Sequence, residues 1–405
     1  MSTPLFPVAP PGINGISQGL FPFAISKQMF KESIQLTPLF SLMGNEVTRP
    51  IVKHAVPAGA GYQYRVPKMN SLDFTRPVKN FNQVSGSGQY QSVDFDSVNL
   101  DGSSFLVDIK GRELLSTGTP IMLPDYVRAQ LIEACQQNLN KCILDSAMFN
   151  YSEPTDASTS GYLIDTQKPS YDRMLLAGTA TTRTTYNLLG GVIGAWDLLT
   201  TGPTYAQNGL SAKHLLKLKT MAIRGGNSDE AVMANGRIED MVRPAYIKTK
   251  GGWQVNEYLY FCNSESYTQL LQDPMYFQTT VGRGTISSAE QPQSISGALY
   301  KGMYEGIHIY EVKDLSNYIS KSADDTITVG WELFIGAGAW SLGWSKEPWH
   351  AFKEDVTNMT VEYTTHEIRG QKALKFKAKQ ASTLAVANTG GVVEQGIIHS
   401  FVRLA

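Results

Sequence analysis

The sequence predicts an α+β fold. Three observations carry that expectation: an apolar stripe at helical spacing between residues 124 and 149, a polar alternating ribbon ahead of it, and long strand-like runs near the C-terminus. At 405 residues, 42% hydrophobic and 18% charged, the chain can bury an ordinary core, in roughly two or three domain-sized units or one large composite subunit. Its net charge of −1, from 35 basic and 36 acidic residues, argues against a protein whose task is gripping nucleic acid. It leaves room for one that tolerates nucleic acid nearby.

Residues 1–60 read as an arm. Pro4, Pro7, Pro10, Pro11, Gly12, Gly15 and Gly19 oppose regular structure, while Phe21, Phe23 and Phe30 still need burial. One short helix fits between Ile25 and Leu36. Residues 61–112 read as an extended hairpin. Tyr62, Tyr64 and Val66 alternate with Gln63 and Arg65 on the inbound side, and Phe105, Val107 and Ile109 end the outbound side. Its tip is Ser85-Gly86-Ser87-Gly88, where glycine supplies positive φ without steric cost. A long polar ribbon of this kind is at best marginally stable alone. Asp94 and Asp96 alternate with Val93 and Phe95 and are expected on a solvated face.

Residues 113–190 open with the strongest helix, 124–149. Pro124 and Asp125 suit its first turn. Val127, Leu131, Cys135, Leu139, Cys142 and Ile143 form one stripe, with Arg128, Gln136, Gln137 and Asn140 on the opposite face. It reads as a spine laid across a sheet. Residues 191–345 read as a mixed region, with helices near 192–199, 212–223 and 264–272 and strands at 257–262 and 306–313. Residues 346–405 read as two long returning strands, whose partner is distant in sequence, and a tail. No stretch approaches the ~18 apolar residues of a membrane span. The N-terminal residues lack the basic and continuous apolar regions of a signal peptide, so cytoplasmic synthesis is expected.

No motif carries catalytic chemistry. His54, His214, His308, His350, His366 and His399 are scattered, and none stands at ligand spacing from another His or a Cys. The glycines of VGRGTISS and FIGAGAW read as turns or bulges, lacking the strand–loop–helix context and Lys-Ser/Thr of a phosphate loop. The pair Asp324 and Asp325 reads as a solvated loop. Cys135, Cys142 and Cys262 give no disulfide framework and read as small buried hydrophobes in a reducing compartment. Lys375, Lys377 and Lys379 line one strand face, read as solvated or, alternatively, turned towards a polyanion or an acidic neighbour. No enzyme, metal or cofactor is expected.

The order of parts resembles the major capsid protein of tailed bacteriophages, the Hong Kong 97-type fold, closest to the coat proteins of large podoviruses. The resemblance runs through YFCNSESYTQLLQDP, GALYKGMYEGIHIYEVKDL, FIGAGAWSLGWSKEPWHAF and VEYTTHEIRGQKALKFKAK. It implies an N-terminal arm, an extended loop, a peripheral domain with spine helix and a mixed axial domain. No long helical scaffolding segment is visible between Met1 and Pro57, and Lys68 and Lys79 on the hairpin carry no independent sign of cross-linking.

The implied function is self-assembly into an icosahedral head shell of hexamers and pentamers around packaged double-stranded DNA, held non-specifically. Portal, scaffold and decoration proteins are the further partners implied, and the location implied is the virion. Phe21, Phe23, Phe81, Ser85, Gly86, Ser87, Gly88 and Tyr90 are the expected subunit-contact residues. The hairpin and arm, lacking a core of their own, are expected to lean on a neighbouring copy. A tail or fibre component and a soluble oligomeric enzyme are the alternatives. The first would lack the spine helix, and the second needs a polar pocket that no constellation supplies.

Overall fold

The computed structural model describes residues 39, 42–46, 49–56, 63–69, 93–110, 123–148, 150–151, 164–165, 174–176, 209–223, 242–250, 253–277, 298–321, 328–355, 360–377 and 392–404. Strands β1 (Met43–Gly44), β2 (Ile51–Ala55), β3 (Gln63–Met69), β4 (Val93–Asn99) and β5 (Asp101–Lys110) precede the long helix α1 (Leu123–Met148). Short strands β6 (Asn150–Tyr151), β7 (Ile164–Asp165) and β8 (Met174–Leu176) lead to α2 (Ala212–Ile223). Then come β9 (Tyr246–Lys250), β10 (Trp253–Cys262), α3 (Ser264–Gln272), β11 (Ala298–Tyr304), β12 (Ile307–Val312), β13 (Ile319–Lys321) and β14 (Thr328–Ile335). The chain closes with β15 (Trp340–Asp355), β16 (Thr360–Ala373), β17 (Lys375–Lys377), β18 (Val392–Glu394) and β19 (Ile397–Leu404).

Two mixed sheets organise these elements. The smaller runs β1-β2-β15-β16-β5, and the larger follows β11-β12-β10-β14-β19-β8, with β9 on β10 and β13 on β14. Alternation along β10 explains how one strand serves two cores. Leu259 and Phe261 join Trp331, Leu333 and Ile335 of β14, Trp340 and Leu342 of β15, and Leu139 and Ile143 of α1 in a core spanning both sheets. Tyr258, Tyr260 and Cys262 face the other way, into a core roofed by Leu215, Leu218 and Ala222 of α2 and Leu270 of α3.

The three helices read in the sequence at 124–149, 212–223 and 264–272 are present. α3 starts where its side chains dictate: Asn263 Oδ1 accepts the Ser266 backbone N–H at 2.8 Å, and Glu265 occupies the first turn. The α1 stripe is buried at Leu131, Cys135, Leu139, Cys142 and Ile143. Asn140, expected on the outer face, is buried as well, because the burial of Leu144 and Ala147 widens the covered stripe by a further row. All three cysteines are free and buried, and burial pushes the Cys135 thiol up to about 12, so it behaves as a hydrophobe. The glycines of FIGAGAW form the turn between β14 and β15, with Gly338 at φ 63°.

Three expectations change. Residues 101–110 do not continue the hairpin; β5 leaves it and pairs antiparallel with β16, from Asp101↔Arg369 to Lys110↔Thr360. The long returning strand β16 therefore has one partner distant in sequence, β5, and one adjacent, β15. The whole 16-residue length of β15 was not anticipated, since it breaks alternation at two register shifts, between Trp344 and Lys346 and between Lys346 and Trp349. The expected helix near 192–199, VGRGTISS and the Asp324–Asp325 pair lie outside the described residues.

Candidate assembly site

The hairpin is real at its base, where β3 and β4 pair antiparallel from Gln63↔Asn99 to Met69↔Val93. Register explains which side each residue takes. Tyr64 pairs with Val98 and Val66 with Asp96, placing all four on one face. Phe95 pairs with Pro67 and points away, 60% exposed, whereas Asp96 is only 8% exposed. The expected solvated carboxylate is thus buried and the expected inward aromatic is exposed. The reason is that the apolar alternations of the two strands are out of phase; only one of them can match the covered face.

That face has a core of its own, which corrects the expectation that the ribbon has none. Val66 and Val98 pack with Leu374 and Phe376, and Tyr64 joins at the edge. The Lys68 ammonium lies 5.1 Å above the Phe376 ring. Asp96 closes the contact: its Oδ1 accepts from Lys372 Nζ at 2.6 Å and its Oδ2 from the Lys375 backbone N–H at 2.9 Å. The Tyr64 hydroxyl meets Ser341 Oγ at 2.9 Å, and burial raises its pKa. Lys375 is not on a solvated face either. Its ammonium stands 3.6 Å from Glu394, which is almost wholly buried, so the acidic neighbour is intramolecular.

Two glycines make the approach possible. Gly343 of β15 and Gly370 of β16 are directly opposite one another in register. A Cβ on Gly370 would lie 2.4 Å from the Asn99 carbonyl oxygen, and one on Gly343 would lie 2.7 Å from Val56 and 3.1 Å from the Tyr64 ring. The ribbon therefore crosses the sheet over a window without side chains.

The opposite face of the same strands holds the spine helix. Arg369, next to Gly370, points there and hydrogen-bonds Asn138 of α1 and Glu367 through its two terminal nitrogens. Glu367 also accepts from Ser103 Oγ at 3.0 Å and from the Trp344 indole at 3.3 Å, so the Glu367–Arg369 pair ties α1, β5, β15 and β16 together. The ribbon base and α1 thus grip a common sheet from its two sides.

Phe21, Phe23, Phe81, Ser85, Gly86, Ser87, Gly88 and Tyr90, the residues expected to touch a neighbour, lie outside the described residues. The seat residues Tyr64, Asp96, Gly343, Gly370, Lys372 and Phe376 were missed. The glycines in SLGW and IRGQ were the only signal available, and their meaning depends on a register that pairs strands. Among the described residues no group of three His, Cys, Asp or Glu side chains could hold a metal ion, and no helix is long and apolar enough to cross a membrane.

Solved structures share this fold over nearly the whole chain. The asymmetric unit of the cyanophage Pam1 capsid superposes with a TM-score of 0.63 at 13% identity, covering 92% of this chain and 93% of that one. The capsid of Ralstonia phage GP4 gives 0.59 at 14% identity, with 90% of each chain covered. The acidic stable capsid structure of Helicobacter pylori bacteriophage KHP30 gives 0.57 at 11% identity, covering 91% and 92%. No protein-family model and no curated protein matches the sequence. The fold is therefore the α+β Hong Kong 97-type capsid fold that the order of parts implied.

Proposed function

We propose that this chain is a major capsid protein that self-assembles into the icosahedral head shell of a tailed bacteriophage. The observation that carries the reading is the end-to-end likeness to capsid subunits, with the ribbon and the spine helix gripping opposite faces of one sheet. The seated base turns the hairpin from a loose appendage into an aimed arm. Phe95, exposed on its outer face, gives that arm an apolar contact to offer a neighbouring copy. A closed shell repeats each modest contact over many identical subunits, so no single interface has to be strong. The net charge of −1 suits a wall that encloses double-stranded DNA without binding it tightly. Hexamers and pentamers of the chain form the shell, and portal, scaffold and decoration proteins are its further partners.

Sizing the purified full chain tests this. Mass photometry is expected to give megadalton particles, with closed shells in negative stain. A monomer or small ring under every assembly condition tried would refute it.

A further inference from the structure

The core beneath α2 and α3 holds a buried polar chain. His214 Nε2 of α2 lies 2.8 Å from Ser400 Oγ of β19, and that oxygen lies 3.0 Å from the Tyr260 hydroxyl of β10. The same hydroxyl hydrogen-bonds Glu332 Oε2 of β14. The other carboxyl oxygen receives the Asn263 backbone N–H, at the cap of α3, from 3.4 Å. Glu332 and Ser400 are 0% exposed and face each other across the β14–β19 ladder. The titratable groups around Glu332 are Tyr260 and Cys262 from β10 and His214 from α2. α3 contributes Asn263 and Ser266, and β19 contributes Ser400. Lys217 of α2 acts on His214, and no Lys or Arg among the described residues ion-pairs with Glu332.

Counting hydrogens gives this chain its meaning. It has three links, Glu332 to Tyr260, Tyr260 to Ser400, and Ser400 to His214, and each needs one hydrogen. The third hydrogen comes from either end: from a neutral carboxyl, with Glu332 donating to Tyr260, Tyr260 to Ser400 and Ser400 to the imidazole, or from the imidazole Nε2–H, with every link running the other way into a carboxylate. Ionisation sends one proton to bulk water. The chain must then reverse direction and the imidazole change tautomer, leaving a carboxylate in a closed site without a cation.

We infer that Glu332 is a proton-operated lock: its protonated carboxyl closes the chain that docks α2 and α3 on the large sheet without burying a charge, and its ionisation places a carboxylate with no cation beneath them and loosens that docking. Burial also pushes the Glu332 carboxyl up to about 7, and pushes His214 down to about 3. The signs are opposite. The Glu332 contribution is complete below its ordinary 4.5 and is lost as pH rises through 7; the His214 contribution is complete above 6.5 and is lost as pH falls towards 3. Comparing wild type with Glu332→Gln at each pH cancels the histidine and isolates the carboxyl.

The full chain is tested by urea unfolding and by infrared spectroscopy, and neither readout depends on shells forming. Relative to Glu332→Gln, the folded-to-unfolded ratio of wild type is expected to drop about tenfold between pH 6 and pH 8. A carboxylic-acid C=O band should be present in wild type at pH 6, fade as pH rises, and be missing from the variant. Parallel pH profiles, or no such band, would overturn the inference. Should Glu332→Gln not fold, Tyr260→Phe serves instead. It removes a donor that the ionised carboxyl needs, so the band should persist to higher pH. A band with an unmoved midpoint overturns the inference too.

Discussion

Gly370→Val is expected to unseat the ribbon and abolish closed particles. The new Cβ would fall 2.4 Å from the Asn99 carbonyl oxygen and 3.1 Å from Val98. A side chain could rotate away from such an overlap, but a carbonyl held in a strand cannot, so β4 has to lift as a unit. Lifting it separates Val66 and Val98 from Leu374 and Phe376 and pulls Asp96 from Lys372. Overpacking with loss of this contact is expected to cost about 1–3 kcal/mol in urea unfolding. Limited proteolysis should then cut within 63–99 well before the wild type is cut. Gly102→Val is the matched control. A Cβ there meets only the Glu367 carbonyl oxygen, at 3.9 Å, which is ordinary contact, so stability should change by less than about 0.5 kcal/mol. Equal effects at the two glycines would show that the window has no special role.

Arg369→Met is expected to produce the larger thermodynamic loss. Arg369 and Glu367 are each about 4% exposed and share a hydrogen-bonded ion pair. Removing the guanidinium leaves the Glu367 carboxylate buried beside the Ser103 hydroxyl and the Trp344 indole without a cation to balance it, and deprives Asn138 of α1 of its link to β16. Breaking one side of a buried pair typically costs about 3–5 kcal/mol, chiefly from the charge left behind. The double variant Glu367→Met/Arg369→Met should therefore be more stable than Arg369→Met alone, although it lacks more native contacts. That inversion is the diagnostic result. A double variant destabilised by the sum of its parts would mean the pair is a packing contact and not a charge clasp.

Periodicity carried much of the fold into view. The three helices were legible because each shows an apolar stripe at helical spacing, and Asn263 marks the start of α3 chemically. Two strands of the large sheet were legible as short β-rich runs, EYLYFC in β10 and GIHIYEVK in β12, because a strand covered on both faces reads as a near-continuous apolar stretch. The seat was not legible, and the reason is physical. A strand's sequence says which residues share a face, but only the partner decides which face is covered. Phe95 and Asp96 exchanged their expected environments for that reason. Gly343 and Gly370 are 27 residues apart and gain meaning only when register places them side by side. Lys375 reads as surface charge because its partner, Glu394, arrives from elsewhere in the chain.

The arm itself is tested most directly by replacing residues 70–92 with a two-residue Asn-Gly turn while keeping the seated base. Pairing of β3 with β4 and the Asp96–Lys372 contact remain, so the subunit should stay folded, with an unfolding midpoint close to wild type. Negative-stain microscopy of that folded subunit is then expected to show open or small assemblies and no closed shells. Closed particles of normal size and yield would contradict the proposal that the ribbon reaches a neighbouring copy to build the shell.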